Sequence, residues 1–250
     1  MHSGRATKRM WIKICGITEL GDALAVARCG ASAIGLNFFE HSRRFISVER
    51  AVLIAAAVRS LEIDLPLDVV GVFVNAAVSD VVQVARRVSL TAVQFHGDES
   101  VSQLSEFHRL MPEIRIIRAV RVSVERIEEC LQDLDRILHE VPLAACLLDA
   151  YVPGEFGGTG TTVDLRIAEQ YLAVQRPRLI LAGGLTPENV GDVILSARPW
   201  GVDTASGVES APGRKHPEKV HAFAEAANLA ESTAETDAHP ARLPRGDTRL

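Results

Sequence analysis

The run Ala145-Cys146-Leu147-Leu148-Asp149 leads directly into Ala150 through Gly160. That loop carries Gly154, Gly157, Gly158, Thr159 and Gly160, with Thr161 and Thr162 just beyond it. A short apolar run of this kind reads as a buried strand. An acid at its C-terminal end is costly to desolvate and adds nothing to packing, which makes Asp149 a candidate for chemistry. The glycines let backbone N–H groups come close to an anion, in conformations that other residues avoid. Together the two features point to an enzyme acting on a phosphorylated small molecule. Taken singly, the loop reads equally well as a flexible surface connection after an ordinary strand.

On the C-terminal side the same unit recurs. Arg178–Ala182 reads as a strand, followed by Gly183-Gly184 and a helix from Pro187, where proline suits a first turn. Gly201–Thr204 is another strand. After it, Ser206-Gly207-Val208-Glu209 starts a short extra helix, and Pro217–Leu229 forms the last long one. On the N-terminal side the strands are Trp11–Cys15, Ala33–Phe38, Asp68–Val74, Ala92–Phe95 and Arg115–Val120. The helices between them cover Glu19–Cys29 after Thr18 as cap, Ser47 to about Leu61, Ala77–Val88, a stretch ending at Leu110, and Ser123 to about His139. Val163–Val174 follows the glycine loop. Eight strand-then-helix units with continuous apolar strands argue for a parallel sheet covered by helices, and at this length for a single-domain (β/α)8 TIM barrel, class α/β. A doubly wound open sheet is the rival fold. It places its glycine loop after the first strand, where this chain has only Cys15-Gly16-Ile17-Thr18. The barrel spans residues 10–229. Residues 1–9 read as a flexible extension and 230–250 as a disordered tail with no apolar period.

Composition removes several classes. The 250 residues are 47% hydrophobic and 24% charged, with net charge −5, two Trp and two Tyr, so nucleic acid is not expected as a partner. No apolar run is long enough for a membrane span, and the basic N-terminus lacks the apolar core of a secretory signal. Cys15, Cys29, Cys130 and Cys146 form no metal-type spacing and read as free thiols in a reducing cytoplasm.

In a barrel, functional groups gather at the C-terminal ends of the strands. Three consecutive loops there could hold phosphate: Gly157-Gly158-Thr159-Gly160, Gly183-Gly184, and Ser206-Gly207-Val208 at a helix start. Strand alternation puts Asp149 on one face with Leu147 and Ala145, and Cys15 on one face with Lys13. Most free cysteines are small buried hydrophobes, the reading kept for Cys29, Cys130 and Cys146. Cys15 differs because it ends a strand beside glycine and shares its face with a lysine.

Several motifs together closely resemble the phosphoribosylanthranilate isomerases of tryptophan biosynthesis. They are Lys13-Ile14-Cys15-Gly16-Ile17-Thr18, Gly35–Phe39 with Ser42-Arg43-Arg44-Phe45, Gly71-Val72-Phe73-Val74-Asn75, Gln94-Phe95-His96-Gly97 and Leu148-Asp149. The glycine loops, Leu181–Leu185, Gly201-Val202-Asp203 and Ser206-Gly207-Val208-Glu209 complete the set. The resemblance implies a barrel catalysing an Amadori rearrangement by general acid and base chemistry, without cofactor or metal. It implies that Cys15 is the general base and Asp149 the general acid. It implies further that Arg44 meets the anthranilate carboxylate, that Asp203 lies near the anthranilate end, and that the three glycine loops grip phosphate. Arg43, Thr161, Val163, Leu165 and Ala205 depart from the family's frequent residues. Two rival functions are a histidine-pathway phosphoribosyl isomerase, which resembles a two-aspartate site with an acid where Cys15 stands, and a barrel that only binds a phosphorylated metabolite. The oligomeric state is left open between monomer and homodimer.

The chemistry sets requirements. Asp149 has to hold a proton at neutral pH, which an exposed aspartate does not, and the apolar end of a strand favours the neutral form. Cys15 has to become a thiolate, and a nearby cation would help. Lys13 is placed to supply that field, or simply to pair with a carboxylate inside the barrel, Asp203 being the candidate. Gln94 and His96 share a face, and His96 reads as a satisfied polar group near the mouth rather than a catalyst.

Overall fold

The computed structural model describes residues 9–63, 66–150 and 165–238. Strands β1 (Trp11–Cys15), β2 (Ala33–Asn37), β3 (Asp68–Phe73), β4 (Ala92–Phe95), β5 (Arg115–Val122), β6 (Ala145–Ala150), β7 (Arg178–Ala182) and β8 (Gly201–Thr204) pair in chain order and close into a barrel. All neighbours are parallel, and β8 returns to β1 with Asp203 opposite Lys13. The outer layer is α1 (Leu20–Arg28), α2 (Val48–Arg59), α3 (Val78–Val88), α4 (Val101–Leu110), α5 (Ile127–Glu140), α6 (Leu165–Leu172), α7 (Val190–Ala197) and α8 (Pro217–Ala238). Among the described residues no helix is long and apolar enough to cross a membrane. The barrel expected from the alternation of apolar strands and helices is the fold observed.

Two apolar shells follow from the alternation of strand side chains. Ala33, Ala92, Ala119, Ala145, Leu147 and Ile180 fill the inside of the cylinder. Ile12, Ile14, Cys146, Leu148, Leu181 and Val202 face the helices in the larger outer shell. Period two therefore carries Lys13 and Cys15 on β1, and Asp149 on β6, to the inner face. Small residues dominate the inner shell, which leaves room for polar side chains near the mouth. Trimming an outer-shell residue such as Leu148 to alanine would cost about 2–5 kcal/mol in lost transfer energy and cavity.

The helix expected from Ser123 starts as α5 only at Ile127, after a 3₁₀ turn over Val124–Arg126 that Ser123 does not cap. Four further departures have local reasons. Ser47 caps α2 by accepting from Arg50 N–H, as expected, but Thr18 does not cap α1; its hydroxyl donates to Gly213 O at 2.6 Å instead. α7 starts at Val190 rather than Pro187, because Asn189 Oδ1 accepts from Thr186 N–H and closes a separate turn first. After a short 3₁₀ turn over Ser206–Val208, the chain forms an unexpected antiparallel pair, β9 (Glu209–Ala211) with β10 (Arg214–Lys215). Finally, α8 does not stop at Leu229. It runs to Ala238, with Ala230 and Ala234 buried and Ala234 O accepting from Arg198. The first part of the expected disordered tail is thus helix. Residues 1–8, 239–250 and the loop 151–164 lie outside the described residues.

Candidate active site

Lys13 stands one step below Cys15 on β1 and is completely buried. Its Nζ donates to Asp203 Oδ1 at 2.9 Å, the partner being the next strand's residue in register. Breaking a buried pair of this kind by removing one member costs about 3–5 kcal/mol. Gly35 on β2 makes the arrangement possible, because a Cβ there would lie 2.7 Å from Cys15 Sγ and 3.0 Å from Lys13 Cε. Burial opposes charge on Lys13, yet Asp203 and Cys15 outweigh it and hold the ammonium above its ordinary pKa. Asp203 is pushed up by burial, with Lys13 pulling it down and the charge of Asp149 pushing it up.

The Cys15 thiol is pushed above its ordinary value by burial. Lys13 pulls it back through charge and a hydrogen bond, Asp203 pushes it up, and Lys215 pulls it down. Lys13 thus pairs with Asp203, the structural one of its two expected roles, and the Cys15 thiol stays above its ordinary value despite the neighbouring ammonium. The fully buried Cys146 is likewise pushed up by burial, to about 11.

Lys215 is a cation that the sequence reading missed. It comes from the β9–β10 hairpin, buried, with Nζ donating to Glu209 Oε1 at 2.9 Å and to Ala205 O at 3.0 Å. The hairpin is tied to α1 by Thr18 and by Lys215 N–H donating to Asp22 Oδ2 at 2.8 Å. Glu209 also takes both prongs of Arg44, Nε at 2.7 Å and Nη2 at 2.8 Å. Burial would raise Glu209, but Arg44 and Lys215 outweigh it and hold its carboxyl below the usual range. Arg44 thus stands beside Cys15, its stem over Gly16, with its fork held by a carboxylate of the chain itself.

Asp149 is the penultimate residue of β6, three strands round from β1 through β7 and β8. Its side chain keeps 31% exposure, so the burial expected of it is only partial. His96 Nε2 lies 3.5 Å from Asp149 Oδ2. Beside His96 a cavity of about 390 Å³, lined by Arg118, Arg121 and Ser123 among others, opens toward α5; neither Cys15 nor Asp149 lines it.

Of the expected phosphate loops, Gly157-Gly158-Thr159-Gly160 lies outside the described residues. Gly183-Gly184 follows β7, both residues with positive φ. Gly207 packs so tightly that a Cβ would fall 1.9 Å from Leu185 O, and Thr204 Oγ1 donates to the same carbonyl at 2.7 Å. The loops after β7 and β8, with Ser206 beside Gly207, are therefore locked together at one edge of the mouth.

Residues 12–226 match the family model described as N-(5'-phosphoribosyl)anthranilate (PRA) isomerase. The chain is similar to N-(5'-phosphoribosyl)anthranilate isomerase of Geotalea uraniireducens, 43% identical over 212 residues that cover 85% of this chain and 95% of that protein. Among solved structures it resembles phosphoribosyl anthranilate isomerase from Thermotoga maritima, with a TM-score of 0.73 at 38% identity, covering 87% of this chain and 98% of that one. Another similar structure is a phosphoribosyl anthranilate isomerase in complex with reduced 1-(o-carboxyphenylamino)-1-deoxyribulose 5-phosphate. Its TM-score is 0.71 at 36% identity, with coverage of 87% and 98%.

Proposed function

The chain belongs to the N-(5'-phosphoribosyl)anthranilate isomerase family, and from that premise we infer that it converts N-(5'-phosphoribosyl)anthranilate to 1-(2-carboxyphenylamino)-1-deoxyribulose 5-phosphate in tryptophan biosynthesis. It is an aldose–ketose isomerase. Asp149 donates its proton to the furanose ring oxygen, and the sugar opens to a protonated Schiff base. Cys15 then removes the C2' proton, and the electrons move to the imine as an enolamine forms. The enolamine tautomerises to the ketone as C1' gains a proton and the 2'-hydroxyl loses one.

The observation that carries this reading is the buried Lys13–Asp203 pair, which has Cys15 on one side and feels the charge of Asp149 on the other. Burial pushes the thiol above its ordinary value. The cationic Schiff base supplies the missing positive charge, so the base becomes competent after the acid has acted. Arg44 offers a fork suited to the anthranilate carboxylate and exchanges or shares its Glu209 partner to take it. Asp203 borders the anthranilate end. The phosphate goes to the locked loops at Gly183-Gly184 and Ser206-Gly207, and the family resemblance adds Gly157, Gly158, Thr159 and Gly160 to its binding residues. The partner is a small phosphorylated substrate, and the setting a reducing cytoplasm, consistent with four free thiols.

A fluorescence assay that follows loss of the anthranilate adduct with purified protein tests the function. Turnover supports it. Binding without turnover, or turnover of only a histidine-pathway substrate, rejects it.

A further inference from the structure

β4 runs Ala92–Phe95 and continues into His96, so Gln94 and His96 lie on one face. Gln94 Nε2 is 3.0 Å from His96 Nδ1. With the amide in this orientation its nitrogen donates, Nδ1 accepts, the neutral ring carries its hydrogen on Nε2, and Gln94 Oε1 lies buried without a partner among the described residues. His96 Nε2 is buried, has no hydrogen-bond partner among the described residues, and faces Asp149 Oδ2 at 3.5 Å. Gln94 is 1% exposed and cannot turn its amide out to solvent. The loop after His96 is braced from below. Glu99 accepts from the N–H groups of Asn75 and Gly97, and Arg118 ties Glu99 to Gly97 O at 2.6 and 3.0 Å.

We propose that Gln94 and His96 are a positioning pair for the general acid. Gln94 fixes the His96 tautomer, and His96 Nε2–H donates to Asp149 Oδ2, which leaves Oδ1 as the oxygen that carries the proton passed to substrate. The proposal rests on Asp149 being the acid. His96 itself neither gains nor loses a proton in the cycle. The 3.5 Å separation is long for a hydrogen bond and shortens in the reacting complex, where catalytic contacts commonly tighten.

Nitrogen-edited imidazole NMR spectra of the full chain read the tautomer without reference to turnover, His96 being assigned by its loss in His96→Gln. At about pH 7.5, above the ordinary histidine pKa, the ring hydrogen is expected on Nε2. In Gln94→Leu both tautomers are expected. A hydrogen on Nδ1 in the unaltered protein, with Gln94 turned so that Oε1 accepts it, overturns the proposal. In turnover, His96→Leu is expected to lose about tenfold or more in kcat with KM held within about threefold. His96→Gln, whose amide restores a donor, is expected to recover most of that loss. Equal losses in the two variants, or a loss confined to KM, overturn the proposal. Should Asp149 not be the acid, Asp149→Asn keeps its turnover while the tautomer result is unaffected, so the two failures are told apart.

Discussion

Around Cys15 the chain gathers Lys13, Lys215 and Arg44, with Asp203 and Glu209 between them, all largely withdrawn from water. Around Asp149 the described residues supply one imidazole at 3.5 Å and, further off, the charge of Asp203. The proposed mechanism gives the two sides opposite tasks. A thiol has to be turned into an anion, so it is surrounded by cations whose own charges are balanced by buried carboxylates. In that mechanism the carboxyl stands beside a single imidazole among the described residues. Pairing is dense on the proposed base side and sparse on the proposed acid side.

The largest expected effect falls on the sparse side. Asp149→Asn should lose at least ~100-fold in kcat with an unchanged circular dichroism spectrum, since a general acid step typically supplies 10²–10⁴-fold; near-normal turnover would show that the sparse side is not the acid side. Next comes the dense side's centre. Lys13→Met should lose about 3–5 kcal/mol in denaturant unfolding, because Asp203 is left buried and unpaired, and the pH profile of Cys15 alkylation should move up as the cation is lost. Adding Asp203→Leu should recover much of that stability. A lone Lys13→Met that costs under about 1 kcal/mol would mean the pair is solvated after all.

Arg44→Ala should raise KM about tenfold and change kcat little, as expected of a group that binds substrate and transition state alike; an unchanged KM would confine Arg44 to its structural pairing with Glu209. The pH dependence of that pairing has a defined sign. Glu209 is lowered in the fold, so its stabilisation is complete above the ordinary glutamate range and is lost as pH falls through the lower folded value. Glu209→Gln should flatten stability against pH in that acidic window. The smallest effect is expected far from the site: ending the chain after Leu229 removes the burial of Ala230 and Ala234 and the Arg198 contact, costing about 1–2 kcal/mol with kcat intact.

The eight strands were legible because each is a short continuous apolar run, and their ends fall within two residues of expectation. Inner and outer faces of β1 and β6 followed from alternation alone. What escaped notice was long-range or compositional. The bond from Arg44 to Glu209 spans 165 positions, and nothing local announces it. Lys215 lies in a strand of two residues, too short to carry a pattern, although Gly213 beside it, with positive φ, marks the turn. The end of α8 escaped because its buried face is alanine: Ala230 and Ala234 keep helical spacing, but they are too small to register as an apolar period. The sequence makes His96 a satisfied group, whereas among the described residues its Nε2 has no hydrogen-bond partner and faces Asp149.

The central claim is that the sulfur of Cys15 takes a proton from carbon across the mouth from Asp149. The most direct test is the turnover number of Cys15→Ser on N-(5'-phosphoribosyl)anthranilate, measured beside its KM and its unfolding midpoint. The account predicts a fall of at least ~100-fold in kcat with KM and midpoint close to those of the unaltered chain. Turnover near the original value in a folded Cys15→Ser protein would contradict it.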